Sequence, residues 1–174
     1  RDDGIEILGD QTLGNQILNN LIGVGIDGVT DLGNERNGIF IEDAPGNIIG
    51  APNQGNLIGH NRSHGIGIAG ASSVGNTVQA NWIGTDSSRT RDLGNGSSGI
   101  RFNDRNEAST NIGDPSGNLV GGDASQGNVI ANSDRAGIRI TDGFNNAFRG
   151  NEIFDNTEMA IEIGDLGTLT NDPG

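Results

Sequence analysis

In its last three copies, a repeated apolar string carries a charged residue at one position, and an aspartate follows each of these residues after the same interval. The charged residues are Arg101, Arg139 and Glu162, and the aspartates are Asp104, Asp142 and Asp165. Arginines beside carboxylates suit an acidic polysaccharide, and aligned carboxylates suit Ca²⁺. We predict a glycan-binding set at the first three, in which Arg101 and Arg139 are the candidate catalytic residues, and a calcium site at the aspartates. The competing interpretation is a solvated charge ladder with turn-forming aspartates.

Trp82 is the single tryptophan of the chain, and we predict that it points outward beside the core residue Ile83. An aromatic ring there stacks on a sugar in one interpretation, which adds Trp82 to the glycan-binding set. In the other interpretation it packs beneath a neighbouring long loop, because large aromatic side chains usually find cover. Both interpretations stay open at this point.

Two further sets of metal-ligating side chains have weaker spacing. His60 and His64 are four residues apart, which would hold zinc on a helix, but a turn is predicted here and the chain contains no cysteine. Two aspartate pairs lie in equivalent long loops and could bridge a calcium ion, although their order differs from that of an EF-hand loop. These pairs are Asp27 with Asp31 and Asp86 with Asp92. Loop formation is the alternative role for them.

The elements that would position these residues are the strands of an internal repeat. The string Gly-Ile-x-Ile, or a close variant of it, starts at Gly4, Gly38, Gly65, Gly99, Gly137 and Ala160. Its two apolar residues lie two apart and therefore face the same side of a strand, while the residue between them faces outward. Six coils are expected from the six strings.

Two further strands in each of the first five coils are marked by an asparagine that stands two residues before an apolar residue. The asparagines before the second strand are Asn15, Asn47, Asn76, Asn118 and Asn146, and those before the third are Asn20, Asn56, Asn81, Asn128 and Asn151. Asparagine tolerates the backbone angles of a corner, and stacked copies can pass amide hydrogen bonds from one coil to the next. We therefore predict two columns of stacked asparagines.

Insertions alternate along the chain. Coils one and three lengthen the corner after their third strand, at residues 23–37 and 84–98, whereas coils two and four lengthen the link between strands two and three. The larger unit is thus a repeat of two coils. The sequence predicts an all-β right-handed parallel β-helix with about six coils and three short strands per coil, in a single domain over residues 1–174.

Composition narrows the partners. The net charge is −13 and Arg supplies all ten Lys or Arg residues, so the surface repels nucleic acid phosphates and anionic lipid. No apolar run is long enough to enter a membrane as a helix. The sequence starts at Arg1, and we expect that a signal peptide has been removed or lies outside it, which implies secretion or display at the cell surface. We also expect that the chain is part of a longer protein or a subunit that stacks end to end.

The repeat resembles the parallel β-helix proteins of the pectin-lyase-like superfamily, particularly large bacterial secreted and surface proteins. Loops of those proteins are rich in Ile-Gly-Thr-Asp and Leu-Gly-Asn, which stand here at residues 83–86 and 93–95. The resemblance implies the fold over the whole chain. It implies less about activity, because Thr141 follows Arg139-Ile140 where the related glycosidases have Lys, and Asp114-Pro115-Ser116 departs from the Asp-Pro-His of alginate epimerases.

Three functions remain open. The first is a non-catalytic structural or adhesive module, with glycan binding as an option, that needs no cofactor. The second is a polysaccharide lyase or epimerase for an acidic glycan, in which Arg139 accepts a proton or clamps the substrate and the three aspartates hold Ca²⁺. The third is a self-assembling extracellular filament subunit that stacks on neighbouring β-helix subunits.

Overall fold

The computed structural model describes residues 3–103 and 114–164, and every regular element in those ranges is a β-strand. The strands are β1 (Ile5–Leu8), β2 (Gln16–Ile17), β3 (Leu21–Ile22), β4 (Ile39–Glu42), β5 (Ile48–Ile49), β6 (Leu57–Ile58), β7 (Ile66–Ala69), β8 (Thr77–Val78), β9 (Trp82–Ile83), β10 (Ile100–Asn103), β11 (Leu119–Gly121), β12 (Val129–Ala131), β13 (Ile138–Ile140), β14 (Ala147–Arg149), β15 (Glu152–Phe154) and β16 (Ile161–Ile163). Within these ranges there is no helix that could cross a bilayer.

The strands form three parallel sheets that stack coil upon coil. Sheet A contains β1, β4, β7, β10, β13 and β16, sheet B contains β2, β5, β8, β11 and β14, and sheet C contains β3, β6, β9, β12 and β15. Every third strand is therefore a neighbour in the same sheet. This topology confirms the predicted parallel β-helix, and the sixth coil is represented in the described ranges by β16.

Strand register follows the repeated strings. In sheet A, Ile5 pairs with Ile39 and Ile100 pairs with Ile138. In sheet C, Ile58 pairs with Ile83, as the corner asparagines predict. Equivalent residues of successive coils thus lie directly above one another, about 4.8 Å apart.

The core consists of the inward aliphatic side chains of the three sheets. Its fully buried members include Ile39, Ile41, Ile49, Ile58, Ile66, Ile68, Val78, Ile83, Ile100, Val120, Ile130 and Ile138. The one large aromatic ring among them, Phe102, packs edge-on against Phe148 with ring centroids 5.6 Å apart. A buried isoleucine stabilises the fold by about 2 kcal/mol, so the stacked aliphatics supply most of the stability.

Both predicted asparagine columns exist as continuous ladders. In each step the backbone N–H and the side-chain amide of one asparagine donate to the Oδ1 of the asparagine one coil further on. Asn81, for example, donates to Asn128 Oδ1 from its N at 3.0 Å and from its Nδ2 at 2.9 Å, and Asn56 donates to Asn81 in the same way. The ladders satisfy buried polar groups that the corners would otherwise leave unpaired.

A third ladder, which was not predicted, lies before sheet A, four residues ahead of each strand-one string from Gly38 onward. Asn34 donates to Asn61 Oδ1 at 2.8 Å, and Asn61 donates to Asn95 Oδ1 at 2.9 Å. Ser133 occupies the next step, and its backbone N–H donates to Asn156 Oδ1 at 3.0 Å. The Nδ2 of Asn95 and the Oγ of Ser133 are buried and have no hydrogen-bond partner, so this ladder is interrupted at Ser133.

In the first four coils, the corners before strands three and one alternate between a short and a long form. A short corner places the residue before the ladder position in the left-handed region, as at Ala80 (φ 55°) and His60 (φ 60°). A long corner has a glycine directly before the ladder position, because the carbonyl oxygen of the left-handed residue in the next coil leaves no room for a side chain. A Cβ on Gly55 would lie 1.7 Å from the oxygen of Ala80, and one on Gly33 would lie 1.8 Å from that of His60. Long and short corners are therefore sterically matched partners.

Candidate functional site

The outer face of sheet C carries a mostly apolar column formed by the first residue of each strand. The column contains Leu21, Leu57, Trp82, Val129 and Glu152, paired in that order by the strand register. Each residue precedes an inward core residue, and so it faces outward. Trp82 is partly exposed, and it lies at the centre of the column.

A cleft opens over the first half of this column, between the two long loops. The loops cover residues 23–37 of coil one and 84–98 of coil three, and the short corner of coil two separates them. This loop cleft has a volume of about 450 Å³; Leu21, Leu57 and Trp82 line its floor, and Asp27, Asp86 and Arg91 line its walls. Its position follows directly from the alternating insertions.

Hydrogen bonds within the first loop hold its wall in place. Asp27 Oδ1 accepts the backbone N–H groups of Val29 and Thr30 at 3.0 and 2.8 Å, and its Oδ2 accepts the Thr30 hydroxyl at 2.5 Å. These bonds, led by the Thr30 hydroxyl, lower the pKa of Asp27 to about 2. Asp31 caps the same loop by accepting the Gly33 amide at 2.9 Å.

The second loop is built in the same way. Asp86 accepts the Ser88 hydroxyl at 2.6 Å and pairs with Arg91 at 3.4 Å, while Asp92 accepts the Gly94 amide at 3.0 Å. Burial raises the pKa of Asp86, but the hydrogen bonds and the Arg91 charge outweigh it and lower the pKa overall. The two aspartate pairs that could have bridged calcium thus form loop hydrogen bonds, which is their alternative predicted role.

A second cleft opens on the other side of Trp82. It lies between the links of coils two and four, at residues 50–55 and 122–127, and has a volume of about 270 Å³. Asn53, Arg89, Ser125 and Val129 line this link cleft together with Trp82. The two clefts share the tryptophan, so one continuous track crosses sheet C.

The cations beside the track are each paired with a carboxylate. Arg91 pairs with Asp86, and Arg89 pairs with Glu152 at 3.0 Å. About half of each arginine side chain is exposed, so these pairs contribute little to stability. Their effect on the track is to cancel local positive charge.

The charged column of sheet A lies on a different sheet from Trp82. Register places Arg101 beside Arg139 and Arg139 beside Glu162, as predicted, and Arg139 Nε lies 3.2 Å from Glu162 Oε2. Both side chains of this pair are mostly buried, at 17% and 15% exposure. The pairing fits a charge ladder, although this pair is more buried than a solvated ladder would be. The catalytic and glycan-binding roles of this column stay predictions.

The predicted calcium site cannot be assembled from the described residues. Asp142 lies within them and has an interaction partner, whereas Asp104 and Asp165 lie outside them. Across the ranges 3–103 and 114–164, no three His, Asp or Glu residues are grouped so that they could hold a metal ion. Calcium binding by the three aspartates therefore stays a prediction.

The two histidines have separate structural partners. His64 is buried, and its Nδ1 accepts the backbone N–H of Ser98 at 3.1 Å. Burial, followed by the charge of Arg101, lowers the pKa of His64 to about 4. His60 Nε2 lies 3.3 Å from the carbonyl oxygen of Val29 in the first long loop. Their geometry supports structural roles at the corner.

The fold and its ladders define a parallel β-helix of the asparagine-ladder type, with a track across one outer face. Comparison with protein-family models, with curated proteins and with solved structures finds no match to this chain. The function must therefore be argued from the track itself.

Sequence reasoning identified Trp82 but missed the clefts around it. The apolar residues beside it were visible as a pattern, because Leu21, Leu57 and Val129 each directly precede the inward residue of a third strand. Reading that outer position along the coils would have revealed the column. The third asparagine ladder had an equally plain signal, an asparagine four residues before a strand-one string.

Proposed function

We propose that this chain is a non-catalytic adhesive module of a secreted or cell-surface protein, and that it binds a glycan on sheet C. The observation that carries the proposal is the track formed by the loop cleft and the link cleft, with Trp82 between them. The resemblance of its loop motifs to the pectin-lyase-like superfamily, and its acidic composition without lysine, are consistent with an extracellular setting.

The chemistry of the track suits a sugar ring. The apolar C–H face of a pyranose packs on an indole, and its hydroxyl groups both donate and accept hydrogen bonds. Trp82 and Leu57 offer the apolar surface, while Asn53, Ser87 and Ser125 line the same clefts with polar groups. Ligand sites generally combine an apolar floor with a few polar groups in this way.

The scaffold favours rigid recognition. The loop walls are fixed by the hydrogen bonds of Asp27 and Asp86, and the floor is fixed by strand pairing. A preformed site loses little conformational entropy when a ligand binds. Repetition of the clefts along a longer stack would then add avidity, which suits an adhesive protein.

The experiment uses the single tryptophan as its reporter. The fluorescence emission of Trp82 in the wild-type protein should change when an oligosaccharide that binds is titrated in. The signal reports on this site alone, because the chain has no other tryptophan. Calorimetry should show that Trp82→Ala weakens binding by about tenfold or more.

The matched control is Phe144→Ala, which removes an aromatic ring that is 57% exposed and does not line either cleft. Binding by this variant should equal that of the wild type. Equal loss in both variants, or no binding by the wild type across a broad panel of oligosaccharides, would refute the proposal.

A further inference from the structure

The charge pattern of the track limits the class of glycan that it can hold. One arginine lines each cleft, Arg91 in the loop cleft and Arg89 in the link cleft, and each is paired with a carboxylate. An incoming uronate would have to compete with Asp86 or Glu152 for its partner. It would also approach a protein whose net charge is −13.

A cationic amino sugar finds no vacant carboxylate in the loop cleft either. Both oxygens of Asp27 accept hydrogen bonds from Val29 and Thr30, and Asp86 is engaged by Ser88 and Arg91. An ammonium group would lose water without gaining a full partner. A hydroxyl group loses much less hydration energy than an ammonium group does, so the remaining lone pairs and donors of these side chains are sufficient partners for it.

The geometry also sets a direction for the ligand. The outer column from Leu21 through Leu57 and Trp82 to Val129 crosses four successive coils, which spans about 14 Å. The loops border one end of these strands and the links border the other. The loop cleft is centred on coil two and the link cleft on coil three. A chain that passes between the loops, crosses the column at Leu57 and Trp82 and leaves between the links therefore runs obliquely to the column.

We propose that the ligand of the track is an uncharged glycan chain of several sugar units, which lies across sheet C and occupies both clefts at once. This inference rests on the proposed glycan binding at Trp82. It goes further by naming the charge class of the ligand and the number of clefts that one ligand fills.

The test compares tetrasaccharides of matched length by Trp82 fluorescence. The neutral set contains β-glucan, mannan, xylan and galactan fragments, and the charged sets contain oligogalacturonate and chitosan fragments. At least one neutral tetrasaccharide should bind at least about tenfold more tightly than any charged one. Its affinity should be unchanged between about 0.05 and 0.5 M NaCl, since no ion pair is formed.

Two exposed serines provide the matched variants for the two clefts. Ser87→Leu narrows the loop cleft and Ser125→Leu narrows the link cleft, and neither residue is buried. Each substitution should weaken the binding of the neutral tetrasaccharide by about tenfold, as measured by calorimetry. Each should keep the wild-type unfolding midpoint.

The outcomes separate this inference from the function beneath it. Tight binding of only a charged tetrasaccharide, lost in Trp82→Ala, would overturn the neutral class while glycan binding stood. If only one of the two serine variants lost affinity, the inference that one ligand fills both clefts would be wrong. Failure of every glycan to bind would overturn the proposed function itself.

Discussion

Substitution of His64 should remove most of the acid sensitivity of this fold above pH 4.5. His64 sits in a polar column just before sheet A, where its backbone N–H donates to Asn37 Oδ1 at 3.1 Å and its own Nδ1 accepts the Ser98 amide. Protonation of Nδ1 would cancel that acceptor and place a charge in a site that is only 8% exposed, near Arg101. His64→Asn keeps an acceptor, and Asn37 shows that an asparagine fits this column one coil earlier.

The magnitude follows from proton linkage. The pKa of His64 falls from 6.5 in the unfolded chain to about 4 in the fold, so the unfolded chain takes up the proton first as the pH is lowered. The free energy of unfolding therefore decreases between pH 6.5 and pH 4, by about 1.4 kcal/mol per unit and about 3 kcal/mol in total. Below pH 4 both states are protonated and His64 adds no further loss. The lowered pKa of Asp27, about 2, acts only below its ordinary value of 3.8.

Urea denaturation at pH 7 and at pH 4.5 measures the effect. The wild type should lose about 2.5 kcal/mol of unfolding free energy between the two, whereas His64→Asn should lose less than about 0.5 kcal/mol. His60→Asn is the matched control, because it removes the other histidine at a left-handed position that asparagine tolerates. It should behave as the wild type does. A His64→Asn protein with the full wild-type pH dependence would show that this buried imidazole is not the source.

Three substitutions probe the ladders and corners. Ser133→Asn should complete the third ladder by giving the Nδ2 of Asn95 a partner, which should raise the unfolding free energy by about 1 kcal/mol and the Tm by about 2–4 °C. Asn81→Ala should lower the unfolding free energy by about 3 kcal/mol in urea denaturation, because it leaves hydrogen-bond donors and acceptors of two coils without partners. Gly55→Ala should cost about 3 kcal/mol by the same assay, because its Cβ would clash with the oxygen of Ala80.

Each of these variants has a control in the same chain. Ser133→Ala should not stabilise the protein, since it offers Asn95 no acceptor. Asn20→Ala removes the exposed first member of the Asn81 ladder and should cost about 1 kcal/mol or less. Gly46→Ala should cost about 1 kcal/mol, because its φ is +66° but no atom lies within 4 Å of its Cβ. Equal costs at Gly46 and Gly55 would contradict the steric account of the long corner.

The fold could be predicted from the sequence because each strand carries its own mark. The Gly-Ile-x-Ile strings fixed the register of sheet A, and the corner asparagines fixed that of sheets B and C, as the pairs Ile49 with Val78 and Ile58 with Ile83 confirm. In a solenoid every coil contacts only its neighbours, so a local pattern that repeats is sufficient to give the tertiary contacts.

The site was harder to predict, because it depends on what the irregular segments do in space. The sequence grouped Trp82 with Arg101, Arg139 and Glu162 as one glycan-binding set, but Trp82 lies on sheet C and the other three lie on sheet A. The sheet of a residue follows from whether it lies in the first, second or third strand of its coil, so this separation could have been predicted. The clefts, however, also require the loop hydrogen bonds of Asp27 and Asp86, which no periodic pattern encodes.

The alternation of the insertions supplies the physical link between the repeat and the track. A glycine in a long corner leaves room for the carbonyl oxygen of a left-handed residue in the next coil. Gly94 does so for Asn132, and Gly55 does so for Ala80. Two long corners in succession would offer no such carbonyl, so at any one corner the long segments are at least two coils apart, as they are in coils one and three. Their separation is then two coil spacings, about 10 Å. The width of each cleft is thus set by backbone stacking, and the loop sequences are left to decide only what lines its walls.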